Sequence, residues 1–206
     1  MTWVYDDTRG QDRFAWGWDS SQAQQNAWEI YNYFFENDLM SLEAVCGLVG
    51  NIAFESRINP WQEEVGGSGF GLIQWTPPTA LTNVLGSTPT GDAQCSLIYN
   101  EIMDNQSIWG GGARWIPTTR YPYSGTQFCA LGSIREATQA YFAERERGTW
   151  SEARYEYARY YWEVFTGQPT PPEPPDPPVP PTPSSREGMP LYFYITKKFK
   201  RKKGLI

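Results

Sequence analysis

No histidine occurs among the 206 residues. That absence excludes a Ser-His-Asp or Cys-His hydrolase, an H-E-x-x-H metalloprotease and the usual His-containing zinc sites. Lysine is missing from residues 1–196: all five lysines, with Arg201, fall between Lys197 and Lys203. With those six cations set aside, 11 basic groups face 23 acidic ones, a net of −12. Such a body is a poor partner for nucleic acid, because neutralising phosphates takes clustered cations. Three cysteines (Cys46, Cys95, Cys129) are too few for a disulfide framework and allow one pair at most. No apolar run approaches the roughly 20 residues needed to span a bilayer. Met1 to Asp7 shows neither the basic nor the apolar stretch of a secretory leader. What survives is chemistry run by carboxylates, with no cofactor or metal expected, or no chemistry.

The sharpest change in composition follows Gly167, where Pro169 to Pro183 holds ten prolines in fifteen residues. Such a run reads as a polyproline II spacer reaching on the order of 45 Å at ~3.1 Å per residue; a P-x-x-P ligand is the alternative. Beyond it, Leu191 to Thr196 is β-prone and Lys197 to Lys203 is polybasic. This tail suits docking to a partner protein or adhesion to an anionic polymer. The expected organisation is therefore a domain over 1–168, a linker over 169–188 and a tail over 189–206.

Within the domain the pattern predicts a mostly α fold with long Gly/Pro-rich loops. A capping box at Ser21 and Gln24 starts one helix, which runs to about Asn37. Ser41 starts a second, with Leu42, Val45, Cys46, Val49, Ile52 and Ala53 on one stripe and Asn59-Pro60 as its end. Others are expected over 91–104, from Ser133 with Glu136 as a capping box, and from Ser151 to Phe165 with Gly167 as the stop. Loops fill 61–71, 76–91 and 105–126, and loops of that length usually carry function.

The second helix bears one acid near its C-terminal end, Glu55, three residues from Ile52 and seven from Leu48. The edge of a buried stripe and the negative end of a helix dipole both disfavour a carboxylate there, so a protonated acid is expected. A protonated carboxyl in an apolar wall is suited to general acid catalysis. The plainer alternative is an edge Glu whose head group reaches solvent. Nineteen residues on, Gly66-Gly67-Ser68-Gly69-Phe70-Gly71-Leu72-Ile73-Gln74-Trp75 follows. Its glycines let backbone approach a ligand, Gln74 offers a neutral amide, and Trp75 offers an aromatic plate of the kind that packs on sugar C–H faces. Trp109 and Trp115, in or beside the Gly-rich loops, are further candidates for such a role. A second carboxylate is open among Glu63, Glu64, Asp104 and Glu144. Glu64 lies between the two motifs and is counted with the substrate-binding candidates. Cys46 reads as a small core residue.

Glu55-Ser56, Asn59-Pro60 and Gly69-Phe70-Gly71-Leu72-Ile73-Gln74-Trp75-Thr76-Pro77 together resemble the phage tail lysozyme domain. That family is allied to goose-type lysozymes and soluble lytic transglycosylases. The resemblance is closest over Ala44 to Pro78 and weaker from about Ser20 to Gly167. It implies a lysozyme-like helical domain in which Glu55 is the catalytic acid, while Phe70, Gln74 and Trp75 belong to the substrate-groove motif. Gln139 to Arg145 takes the place of the last core-helix motif, which implies that Tyr141 and the pair Glu144-Arg145 face the groove. The loop after Pro60 is short, and the family's frequent His-dependent metallopeptidase has no place within these histidine-free residues. The implied activity is cleavage of peptidoglycan between MurNAc and GlcNAc, by a hydrolase or a lytic transglycosylase. The implied setting is a phage virion tail acting on the outside of a Gram-positive host wall, with tail proteins as partners of the C-terminal segment. A free endolysin and a non-catalytic wall-binding or tail module are the alternatives.

Overall fold

The computed structural model describes residues 2–104 and 115–172. Among the described residues seven α-helices follow in order: α1 (Ser21–Phe34), α2 (Leu42–Ser56), α3 (Thr79–Leu85), α4 (Gly91–Asp104), α5 (Gly125–Cys129), α6 (Ile134–Tyr141) and α7 (Ala153–Thr166). A π turn, Phe142–Glu146, continues α6. Among the described residues β structure is limited to bridges pairing Glu63 with Phe70 and Phe70 with Trp75, so the expected mostly α fold is the one observed. None of these helices is long and apolar enough to cross a membrane. Residues 173–188 of the expected linker, the tail, Trp109 and the side chain of Asp104 lie outside the described residues.

Helix α2 is the centre of the fold, packed chiefly against α7 and α6 and also against α1 and α5. Leu48, Val49 and Ile52 are fully buried, each contributing about 1.5–3 kcal/mol relative to exposure. Two glycines let its neighbours come close. A Cβ on Gly47 would lie 2.7 Å from the Ala137 Cβ of α6, and one on Gly50 would lie 2.4 Å from the Arg154 carbonyl of α7. Those contacts bring α7, and with it Arg154, against the same face of α2 that ends in Glu55.

Side-chain caps start α1, α2 and α6, with one shift, whereas no side chain caps α3 or α7. Ser41 accepts from Ala44 N–H and Ser133 from Glu136 N–H as expected, but α1 is capped by Ser20, accepting from Ala23 N–H, not by Ser21. The reciprocal capping box is Ser124 with Gln127, at the start of α5. Helix α3, of seven residues, lies within a segment expected as a loop, and α5, of five residues, begins at the end of another and is not among the expected helices. Gly167 ends α7 with φ +64° as expected. Cys46, Cys95 and Cys129 are buried free thiols, so the open pairing is not made.

After α2 the chain reverses through Arg57 and Ile58, both left-handed at φ 55° and 59°. For non-glycine residues this costs roughly 1–2 kcal/mol each. Three contacts offset it. The Trp16 indole donates to the Arg57 carbonyl at 2.7 Å, the Asn26 amide donates to the Ile58 carbonyl at 2.7 Å, and the Ile58 side chain is wholly buried. The N-terminal arm braces the same reversal: Asn59 accepts from Asp6 N–H at 3.2 Å and donates to the Asp6 carbonyl at 2.7 Å.

Candidate active site

The end of α2, the glycine-rich loop, the π turn and the start of α7 enclose a cavity of about 530 Å³, a volume in the range of ligand pockets. Glu55 enters it from α2, and Arg154 from α7. The loop contributes Glu64, Gln74, Trp75 and Thr76; the π turn and the residues after it contribute Arg145, Glu146, Arg147 and Gly148.

Glu55 keeps 19% of its side chain exposed, whereas Arg154, which hydrogen-bonds its Oε1, keeps 5%. Arg154 is fixed from several sides. Its Nη1 donates to Asn51 Oδ1 at 3.0 Å, and its guanidinium lies 4.2 Å from the Phe54 ring centroid and 5.0 Å from that of Phe142. Asn51 is anchored in turn by donating to the Gly47 and Thr138 carbonyls at 2.8 and 3.0 Å. Helices α2, α6 and α7 therefore jointly set the position of the acid.

Gln74 sits in the left-handed region at φ 51°. Its Nε2 donates to the Gly71 carbonyl at 2.6 Å and the Gln62 carbonyl at 3.1 Å. Its Oε1 is buried without a partner, an acceptor held ready at the cavity wall. A Cβ on Gly69 would lie 2.8 Å from the Gln74 Cβ, so this glycine must lack a side chain for the amide to stand where it does. Glu64 ties the loop to itself: its Oε2 accepts from Ser68 and Gly69 N–H, each at 2.9 Å.

Several expected site residues sit elsewhere. Trp75 lines the cavity but is 1% exposed, and its indole donates to Glu101 Oε1 at 3.1 Å, so it is a wall of the core and not an open stacking plate. Trp115 is likewise buried, its indole donating to the Tyr123 carbonyl at 2.9 Å. Phe70 and Tyr141 are core side chains outside the cavity lining, the latter against Trp115 and Phe128. Glu144 is buried away from the cavity, its Oε1 accepting from Tyr123 N–H at 3.2 Å. Tyr141 ends α6 with its ring packed into the aromatic core, and within the π turn Arg145, as expected, and Glu146 reach the cavity while Glu144 turns inward. Glu63, another candidate, accepts from Gly10 N–H at 2.5 Å.

Charge is concentrated behind the cavity. Arg145 pairs with Glu101 at 2.9 Å, with side chains 7% and 2% exposed. Burial works against the Arg145 cation, but Glu101, Glu146 and Tyr141 outweigh it and hold the guanidinium above its usual value. Desolvation pushes the Glu146 carboxyl up to about 7; Arg145 and Arg154 pull it down, while Glu55 and Glu101 push it up. Desolvation likewise raises Glu144 to about 8 against the lowering hydrogen bond from Tyr123. Sequence reasoning missed Glu101, Glu146 and Arg154, because only tertiary packing gathers them.

Residues 25–165 match the family described as phage tail lysozyme. The chain is also similar to Morphogenesis protein 1 of Bacillus phage B103, with 44% identity over 63 residues, covering 28% of this chain and 17% of that protein. The match thus spans less than a fifth of that relative's length.

Proposed function

From the premise that the chain belongs to the phage tail lysozyme family, we propose that it cuts the glycan strand of peptidoglycan between MurNAc and GlcNAc. The observation that carries this reading is Glu55, partly open to a cavity of about 530 Å³ and facing a rim that includes Gln74. Glu55 gives its proton to the glycosidic oxygen as the C1–O bond breaks through an oxocarbenium-like state. The unpartnered Gln74 Oε1 accepts a hydrogen bond from a sugar hydroxyl or amide. Attack at C1 by water leaves a reducing end; attack by the muramoyl 6-hydroxyl leaves an anhydro end. The protein acts from a phage tail on the outside of a Gram-positive wall, and its C-terminal segment joins it to other tail proteins. Zymography on purified walls tests the assignment: Glu55→Gln should give no clearing, and clearing equal to that of the unaltered protein would overturn it.

A further inference from the structure

Glu55, Glu64 and Glu146 and three guanidinium groups, Arg145, Arg147 and Arg154, line the cavity, with Glu101 behind Arg145, and their pairing is uneven. Arg154 holds Glu55 and Arg145 holds Glu101. Glu146, from the π turn, lines the same cavity as Glu55, and its Oε1 is buried without a hydrogen-bond partner. Fully ionised, these four carboxyls and three guanidinium groups would carry a net −1; one added proton makes the cluster neutral. We propose that Glu146 is the proton-holding partner of Glu55, a positioning residue that carries one shared proton between turnovers and passes it to Glu55 when substrate fills the cavity. This rests on the reading of Glu55 as the general acid.

The groups facing Glu146 favour that site for the proton. Arg145 on its own turn and Arg154 on α7 are each committed to another carboxylate, while Glu55 on α2 and Glu101 on α4 repel a charge on it. Behind the cluster, the buried Tyr141 hydroxyl is also without a partner and adds no cation. Desolvation raises the Glu146 carboxyl, whose buried Oε1 has no hydrogen-bond partner, so that it holds its proton to about pH 7. Among the described residues Arg154 lies against Glu55 and makes no ion pair with Glu146. A second negative charge beside Glu55 is costly, which favours the proton on Glu146.

The step balances in protons. Glu146 loses its O–H proton to the Glu55 carboxylate, directly or through one water. Glu55 then gives that proton to the leaving oxygen. The proton shed by the attacking water or 6-hydroxyl returns to the pair and restores the starting state.

Glu146→Gln keeps the shape and neutrality of the protonated carboxyl but cannot release a proton. On purified walls it should lower kcat about tenfold or more with KM unchanged, and remove the alkaline limb near pH 7. Wild-type kcat with an unchanged limb would overturn the proposal. If Glu55→Gln is inactive while Glu146→Gln is fully active, this proposal alone fails; if Glu55→Gln is active, the glycosidase reading fails and takes this one with it. A readout independent of activity is ¹³C NMR titration of glutamate side chains. Besides Glu144, near 8, one carboxyl should titrate near 7 and vanish in Glu146→Gln, whereas every other carboxyl titrating below about 5.5 would contradict it.

Discussion

Glu144 and Glu146 stand two residues apart, and the π turn between α6 and α7 sends one into the core and the other to the cavity. For Glu144 the consequence is stability. Its folded carboxyl titrates near 8 against an ordinary 4.5, so the fold prefers the protonated form. That contribution is complete below about pH 4.5 and is lost as pH rises through 8. Glu144→Gln, whose amide oxygen still accepts from Tyr123, should match wild type in Tm at pH 4.5. At pH 9 it should exceed wild type, by on the order of 2 kcal/mol. Asn51 carries a different expectation. Asn51→Ala leaves the Arg154 Nη1 and the Thr138 carbonyl without their partner, which should cost about 1–3 kcal/mol in denaturant unfolding and lower activity by freeing Arg154. Neither role was legible in the sequence. Glu55 and Gln74 were, because a lone acid on an apolar stripe and a glycine-rich loop are local patterns; Arg154 lies 99 residues from Glu55 and no local pattern links them.

Helices α1, α2 and α6 could be read from side-chain caps and apolar spacing, α4 from its spacing and α7 from its spacing and the Gly167 stop, because each buries a stripe against α2 or its neighbours. Helix α3 escaped that reading since no side chain caps it, and α5 because five residues are too short to show a period. The π turn escaped because its register change comes from packing, which no spacing rule encodes. The approach of α7 to α2 through Gly50 also yields a test. Gly50→Ala must push apart Arg154 and Ala158, with Cβ distances of 2.4 and 2.7 Å in the unaltered packing. The expected cost is about 1–3 kcal/mol by thermal or urea unfolding. Because Arg154 moves with α7, the variant should lose wall-clearing activity even at temperatures where it remains folded.

Across the chain, charge separates a body of net −12 from a terminal run of +6. A body that acidic is repelled by the anionic polymers of a Gram-positive wall. The apolar run Leu191 to Ile195 beside the lysines fits an added strand in a partner protein better than a purely electrostatic anchor. Removing residues 189–206 should therefore leave hydrolysis and wall binding unchanged and abolish incorporation into particles; wall binding that depends on the tail and fades with salt would make it an anchor instead. With carboxylates as the reacting groups, EDTA should leave wall clearing intact, and loss of activity restored by zinc would contradict that. The central claim is that Glu55 cleaves a glycosidic bond, and mass spectrometry of the fragments released from purified peptidoglycan tests it most directly. The unaltered protein should release glycan fragments with new MurNAc ends, reducing or anhydro, and Glu55→Gln none; fragments arising only from peptide-bond scission, or the same glycan ends from both proteins, would contradict it.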